Sequence, residues 1–207
     1  MKFLPGLLFA LSLVCCISCS PKTTSLTKTW TDPERPDPGV ERILVVGASD
    51  REQVRRTFER SLRDRINASS RSTAIASLEE MKVGEELSEE ALRQHFAGHD
   101  IKAVLVTRVV DAQNTAQFEE GDRYNMVNPY ANDFFAYYRR HIVKVPEPGS
   151  YSSGRQVAVE TSLFDASSGK MIWQCATLSF DQGDTLKVMD QLVKALVSQM
   201  KKDKVLL

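Results

Sequence analysis

The chain predicts a single α/β (α+β) domain in which helices pack on a mixed five-stranded sheet. Three observations carry that reading. A continuous β-branched run, Ile43-Leu44-Val45-Val46, is followed by a segment with helical apolar spacing. A second β-branched run fills Ile101 to Val110. Finally, Arg155 to Phe164 alternates in the period of a strand and is followed, across a turn-forming stretch, by the apolar run Met171 to Phe180. The element order is β-α-β-α-β-β-β-α, three helices in all, interrupted by an aromatic-rich insertion.

Each element has its own warrant. Residues 43–46 are short, apolar on every position and stop at Gly47, as expected of a strand buried on both faces. Ser49 and Glu52 have the Ser-x-x-Glu spacing of a capping box, so a helix should start there. It should run to about Ile66 and bury Val54, Phe58, Leu62 and Ile66. A short strand at 72–76 and an acidic loop follow. Ser88 is the next N-cap, with Glu89 and Glu90 in the first turn and Leu87 placed to staple onto Leu92. That helix should end near Gly98. Asp165 to Lys170 with Gly169 is turn chemistry between antiparallel strands. A last helix starts at Asp184 or Thr185, with Leu186, Met189, Val193, Leu196 and Met200 on one face.

The 207 residues are 42% hydrophobic and 26% charged, an ordinary globular composition. Lys plus Arg equals Asp plus Glu at 27 each. A balance this even lacks the basic excess of a nucleic-acid binder, so no nucleic-acid partner is expected.

The N-terminus has different chemistry. Lys2 precedes an apolar run, Phe3 to Ile17, broken by Pro5, Gly6 and Ser12. Roughly 15 residues are too few for a permanent span, which needs about 20, but fit a secretory signal. The run ends in Cys15-Cys16-Ile17-Ser18-Cys19-Ser20, which resembles the bacterial lipobox, a small residue ahead of the cysteine that becomes acylated. Cys16 stands where Leu is usual. Acylation at Cys16 itself would put Leu13 in the Leu position, but a second cysteine in the small-residue position. Cys19 is therefore taken as the lipidation site, residues 1–18 as the signal peptide, and 19–40 as lipidated Cys and flexible tether. The Pro-rich composition of 20–40 suits a linker that would reach at most roughly 70 Å. Trp30 within it either anchors a partner or folds back onto the domain. Ser20, rather than Asp, resembles the signal for onward export to the outer membrane. Cys15 and Cys16 leave with the signal, so Cys175 is the remaining thiol. The alternative is a plain cleaved signal with Cys19 paired to Cys175.

Residues 41–207 form the domain, with 114–153 as an insertion loop or extended hairpin. This segment holds Phe118, Tyr124, Tyr130, Phe134, Phe135, Tyr137, Tyr138 and Tyr151, half of the chain's aromatics. Tyr124, Tyr130, Phe134, Phe135, Tyr137 and Tyr138, with Arg139 and Arg140, are the candidate binding residues, because aromatic and Arg side chains anchor interfaces. The same rings could instead cover one face of the sheet.

Trp30-Thr31-Asp32-Pro33, Ile43 to Gly47, Arg56-Thr57-Phe58-Glu59, Ala103 to Thr107, Val159 to Asp165 and Lys170-Met171-Ile172-Trp173 together resemble a group of bacterial envelope lipoproteins. The resemblance implies a fold similar to the N-terminal domain of the Tol-system translocation protein and to lipoproteins that activate cell-wall synthases. Those relatives bind proteins and are not enzymes.

Catalytic signals are weak. His95 and His99 have the spacing of helix metal ligands, but Phe96 stands where a zinc protease needs Glu. Gly98 should also end the helix before His99. No metal or other cofactor is assigned on this basis, and no catalytic residue. The arginines of the first helix alternate with acids at i,i+4 (Glu52–Arg56, Arg55–Glu59, Glu59–Arg63, Arg60–Asp64), the pattern of a solvated, self-paired face. The expectation is a non-enzymatic, membrane-anchored periplasmic protein that binds another envelope protein in an assembly or regulatory role. The alternatives are a small-molecule- or metal-using envelope enzyme, and a structural subunit of an envelope oligomer.

Overall fold

The computed structural model describes residues 24–35, 38–49, 51–80, 88–110, 133–138, 156–180 and 184–207. In chain order the elements are β1 (Thr24–Thr31), β2 (Arg42–Ala48), α1 (Glu52–Ser69), β3 (Thr73–Ala76), α2 (Ser77–Glu80), α3 (Glu89–Gly98), β4 (Ala103–Val110), α4 (Phe134–Tyr138), β5 (Gln156–Asp165), β6 (Met171–Phe180) and α5 (Thr185–Lys202).

The apolar runs become the middle of the sheet because both of its faces are covered. On β2, Ile43 and Val45 point to one side, Leu44 and Val46 to the other. The parallel neighbour β4 matches them in register, with Ile43 opposite Ala103 and Leu44 opposite Val104. The first face packs on Phe58, Leu62 and Ile66 of α1 and on Leu192, Val193, Leu196, Val197 and Met200 of α5. The second face packs on Leu92 and Phe96 of α3 and on the rings of α4. Three layers result, with two separate apolar cores.

The described strands form one mixed sheet in the order β1-β6-β5-β4-β2-β3. β2 is parallel to β3 and β4, and the remaining pairs are antiparallel. The predicted five-stranded sheet thus has a sixth strand, and it comes from the segment expected to be a tether. β1 pairs with β6 from Thr24 opposite Ser179 to Thr31 opposite Trp173. Its sequence, Thr-Ser-Leu-Thr-Lys-Thr-Trp-Thr, is β-prone but lacks an apolar face, because an edge strand buries little. Trp30 folds back against the second core. Further on, Arg35 donates to the carbonyls of Asp203 and Lys204, both at 2.9 Å, and the Val40 amide donates to Val205 O. These bonds stitch residues 24–35 and 38–40 onto the domain.

Smaller differences have local causes. α1 starts without the predicted capping box. Ser49 Oγ instead accepts from the Arg51 amide, and Glu52 pairs with Arg56. Val54 is exposed, and Arg55 takes its place on the buried stripe. Leu186 of α5 is likewise exposed, while Leu192 and Val197 join the buried face. Two short helices, α2 and α4, occupy stretches expected to be loop and insertion. Of the predicted turn residues, Gly169 has φ +73°, where glycine is favoured, and its amide donates to Asp165 O. Asp165 Oδ1 accepts the amides and hydroxyls of Ser167 and Ser168.

Candidate functional site

The described residues bring together one cluster of metal-ligating side chains, at the C-terminal end of α3. Ser88 starts that helix as predicted, its Oγ accepting from the Ala91 amide at 3.1 Å. Leu92 and Phe96 bury themselves in the second core and fix the helix rotation. His95 is thereby held at the protein surface's edge, half-buried. The helix ends at Gly98, as predicted, and the closure behind it is made by Asp100. Asp100 adopts φ +54°, its amide donates to Ala97 O, and the Ile101 amide donates to Phe96 O. This is the paired closure of a Schellman motif, with an Asp in the left-handed position usually given to Gly.

That closure decides where His99 goes. It caps the helix, and its Nδ1 lies 2.9 Å from His95 O, which turns the ring back toward His95. The two imidazole centroids are 4.3 Å apart. Glu80 completes the group, with Oε2 at 3.1 Å from His99 Nε2. One ligand atom from each of Glu80, His95 and His99 lies within 4.8 Å of the others. Burial, with help from the neighbouring His99, lowers the His95 pKa against the opposing pull of Glu80. His95 Nε2 is shielded from solvent and has no hydrogen-bond partner.

Glu80 is delivered by a buried anchor twenty-one residues earlier in the chain. The Glu59 carboxylate is fully buried. Its Oε1 accepts from the Gly47 amide (2.9 Å), Arg55 Nε (2.8 Å) and Ser77 Oγ (2.7 Å), and its Oε2 accepts from the Leu78 amide (2.9 Å). Ser77 and Leu78 open α2, so this carboxylate fixes the turn that ends in Glu80. The pairing Glu59–Arg63 expected from helical spacing does not form. Arg63 turns to Glu79 and Asp64, and Arg60 also reaches Glu79.

The aromatic candidates divide. Phe134, Phe135, Tyr137 and Tyr138 are buried on α4 and cover the second face of the sheet, the packing alternative stated for them. Phe134 stacks at 5.7 Å from Phe96 and 5.6 Å from Phe164, and the Arg93 guanidinium lies 4.2 Å over Phe135. Tyr137 Oη reaches Glu160, which is also paired with Arg108 at 3.1 Å. Burial first, and then Glu160, raise the Tyr137 pKa. Tyr124, Tyr130, Arg139 and Arg140, like Cys19, lie outside the described residues. Cys175 is buried, and burial followed by the Asp203 charge pushes its thiol up to about 12.

No family model and no curated protein matches the chain. Among solved structures, it is similar to the PelC dodecamer from Paraburkholderia phytofirmans, with TM-score 0.46 and 10% identity over 89% of this chain and 99% of that one. It is also similar to the lipoprotein GNA1162 from Neisseria meningitidis, with TM-score 0.39 and 16% identity over 77% of this chain and 96% of that one.

Proposed function

We propose that this chain is an envelope lipoprotein, held to the outer membrane by acylated Cys19, whose domain binds another envelope protein in an assembly or regulatory role. The observation that carries the reading is Ser18-Cys19 at the end of an apolar signal run. β1 adds geometry to it. Only five peptide units separate Cys19 from Thr24, the first residue of the sheet. They span at most about 18 Å, against the roughly 70 Å of a free 20-residue tether. An anchor at Cys19 would hold the Thr24 end of β1 close to the lipid.

Mass spectrometry of the mature N-terminus tests the anchor. A diacylglyceryl Cys19 is expected, and a chain that starts elsewhere or carries no lipid would defeat the reading. Binding is tested by site-specific crosslinking in the intact envelope. Removing residues 118–150 wholesale is unsuitable, because it also removes α4 from the core. Tyr124→Ser/Tyr130→Ser and Arg139→Ser/Arg140→Ser leave α4 in place. A crosslinked partner that these substitutions do not diminish would exclude the insertion as its binding surface.

A further inference from the structure

We propose that Glu80, His95 and His99 form a mononuclear site for a divalent transition metal of the zinc class, three protein ligands with one position left to solvent. The ligand atoms already lie within 4.8 Å of one another. Nitrogen donors with a single carboxylate select zinc and its neighbours over magnesium or calcium, which take oxygen.

Three features of the cluster fit an ion better than an ordinary surface pair. The first is the tautomer of His99. Its Nδ1 sits 2.9 Å from His95 O, an acceptor, so Nδ1 carries the proton. In the neutral ring Nε2 then presents a lone pair, and it faces the Glu80 carboxylate at 3.1 Å. Two lone pairs at that distance need a cation or a proton between them. The bond to the His95 carbonyl is the outer-sphere contact that commonly orients a ligating imidazole.

The second feature is distance. Ligand bonds of about 2.0–2.1 Å meeting at a tetrahedral angle place N and O roughly 3.3 Å apart. The His99–Glu80 separation of 3.1 Å is close to that, and small side-chain rotations bring in the third ligand. The third feature is His95 Nε2, shielded and with no hydrogen-bond partner. A proton on His99 accounts for the Glu80 contact but leaves this nitrogen unexplained. A shared ion that takes Nε2 as its His95 ligand accounts for both. The side chains of His99 and Glu80 are 41% and 31% exposed, so solvent reaches the remaining coordination position.

Bound metal would clamp the end of α2 to the end of α3, two points eighteen residues apart in the chain. It would stabilise the fold by mass action.

The test uses the full-length, detergent-extracted protein after treatment with a chelator. Titration with zinc at neutral pH, followed by calorimetry, should give one ion per chain and raise the unfolding temperature. Glu80→Gln and His99→Gln change partly exposed side chains and should each weaken zinc binding at least about tenfold. His95→Ala should do the same, and His141→Ala should leave binding unchanged. Excess magnesium should not compete. Absence of saturable zinc binding would overturn the proposal. So would zinc binding that survives both Glu80→Gln and His99→Gln undiminished.

Discussion

Replacing Glu59 by alanine tests whether one buried carboxylate organises this half of the molecule. The carboxylate has no solvent exposure and accepts from Gly47, Arg55, Ser77 and Leu78, while Arg55 is itself buried. The substitution leaves two backbone amides and a hydroxyl without their acceptor and a guanidinium without its counter-charge. Breaking a buried pair from one side costs about 3–5 kcal/mol, because the surviving charge is uncompensated. At about 2–4 °C per kcal/mol for a domain of this size, the unfolding temperature should fall by roughly 6–20 °C. Urea denaturation followed by circular dichroism should show a lower midpoint at an unchanged slope. The double replacement Arg55→Met/Glu59→Leu removes both charges, keeps the volume and should cost less than Glu59→Ala alone. Zinc affinity should also fall in Glu59→Ala, since the turn that presents Glu80 is released. A loss under about 1 kcal/mol, or a double variant less stable than the single, would refute this account of Glu59.

Other consequences are equally direct. Phe134→Ala should cost about 3–5 kcal/mol in the same denaturation assay, since its ring is fully enclosed among Phe96, Phe135, Tyr138 and Phe164; a negligible loss would mean that α4 is not part of the core. With Cys19 acylated, as proposed, a thiol reagent should find no reactive cysteine in the native mature protein and one per chain after denaturation, because Cys175 is buried; a native reactive thiol would count against the anchor. Burial alone would raise the Asp165 pKa, but the hydrogen bonds from Ser167 and Ser168 outweigh it and hold the carboxyl below its ordinary 3.8. The unfolded chain then takes up the proton first, so this stabilisation is present above about pH 4 and is lost as pH falls through the lowered folded value. Asp165→Asn should accordingly be less stable than the parent at neutral pH, and the gap should close on acidification. A gap that persists at low pH would mean that the charge is not what the turn uses.

Much of the sheet was legible because its signals are local. Residues 43–46 of β2 and 103–106 of β4 are apolar at every position, and β5 alternates, so burial is written residue by residue. Ser88 and Asp184 sit at helix starts for a reason confined to their own first turns. β1 was not legible in this way. Its Thr-rich edge buries too little apolar surface to mark itself, and only its bonds to β6 and those of Arg35 to the C-terminal turn reveal that residues 24–31 belong to the sheet. α4 was hidden inside an aromatic insertion, where the rings alone do not say whether they face a partner or the sheet.

From the residues alone come the α/β class, the expectation of a signal and an acylated Cys19, and the four-residue spacing of His95 and His99. Each of these is a property of neighbours along the chain. Folding supplies what depends on segments that are distant in sequence. α3 ends at Gly98, and the left-handed Asp100 beyond it closes the helix and turns the His99 ring toward His95. Glu59 fixes α2 through hydrogen bonds that no periodicity encodes, and so brings Glu80 to both imidazoles. A helical repeat can place two ligands on one face, but a third ligand from another segment arrives only when the backbone between them is packed.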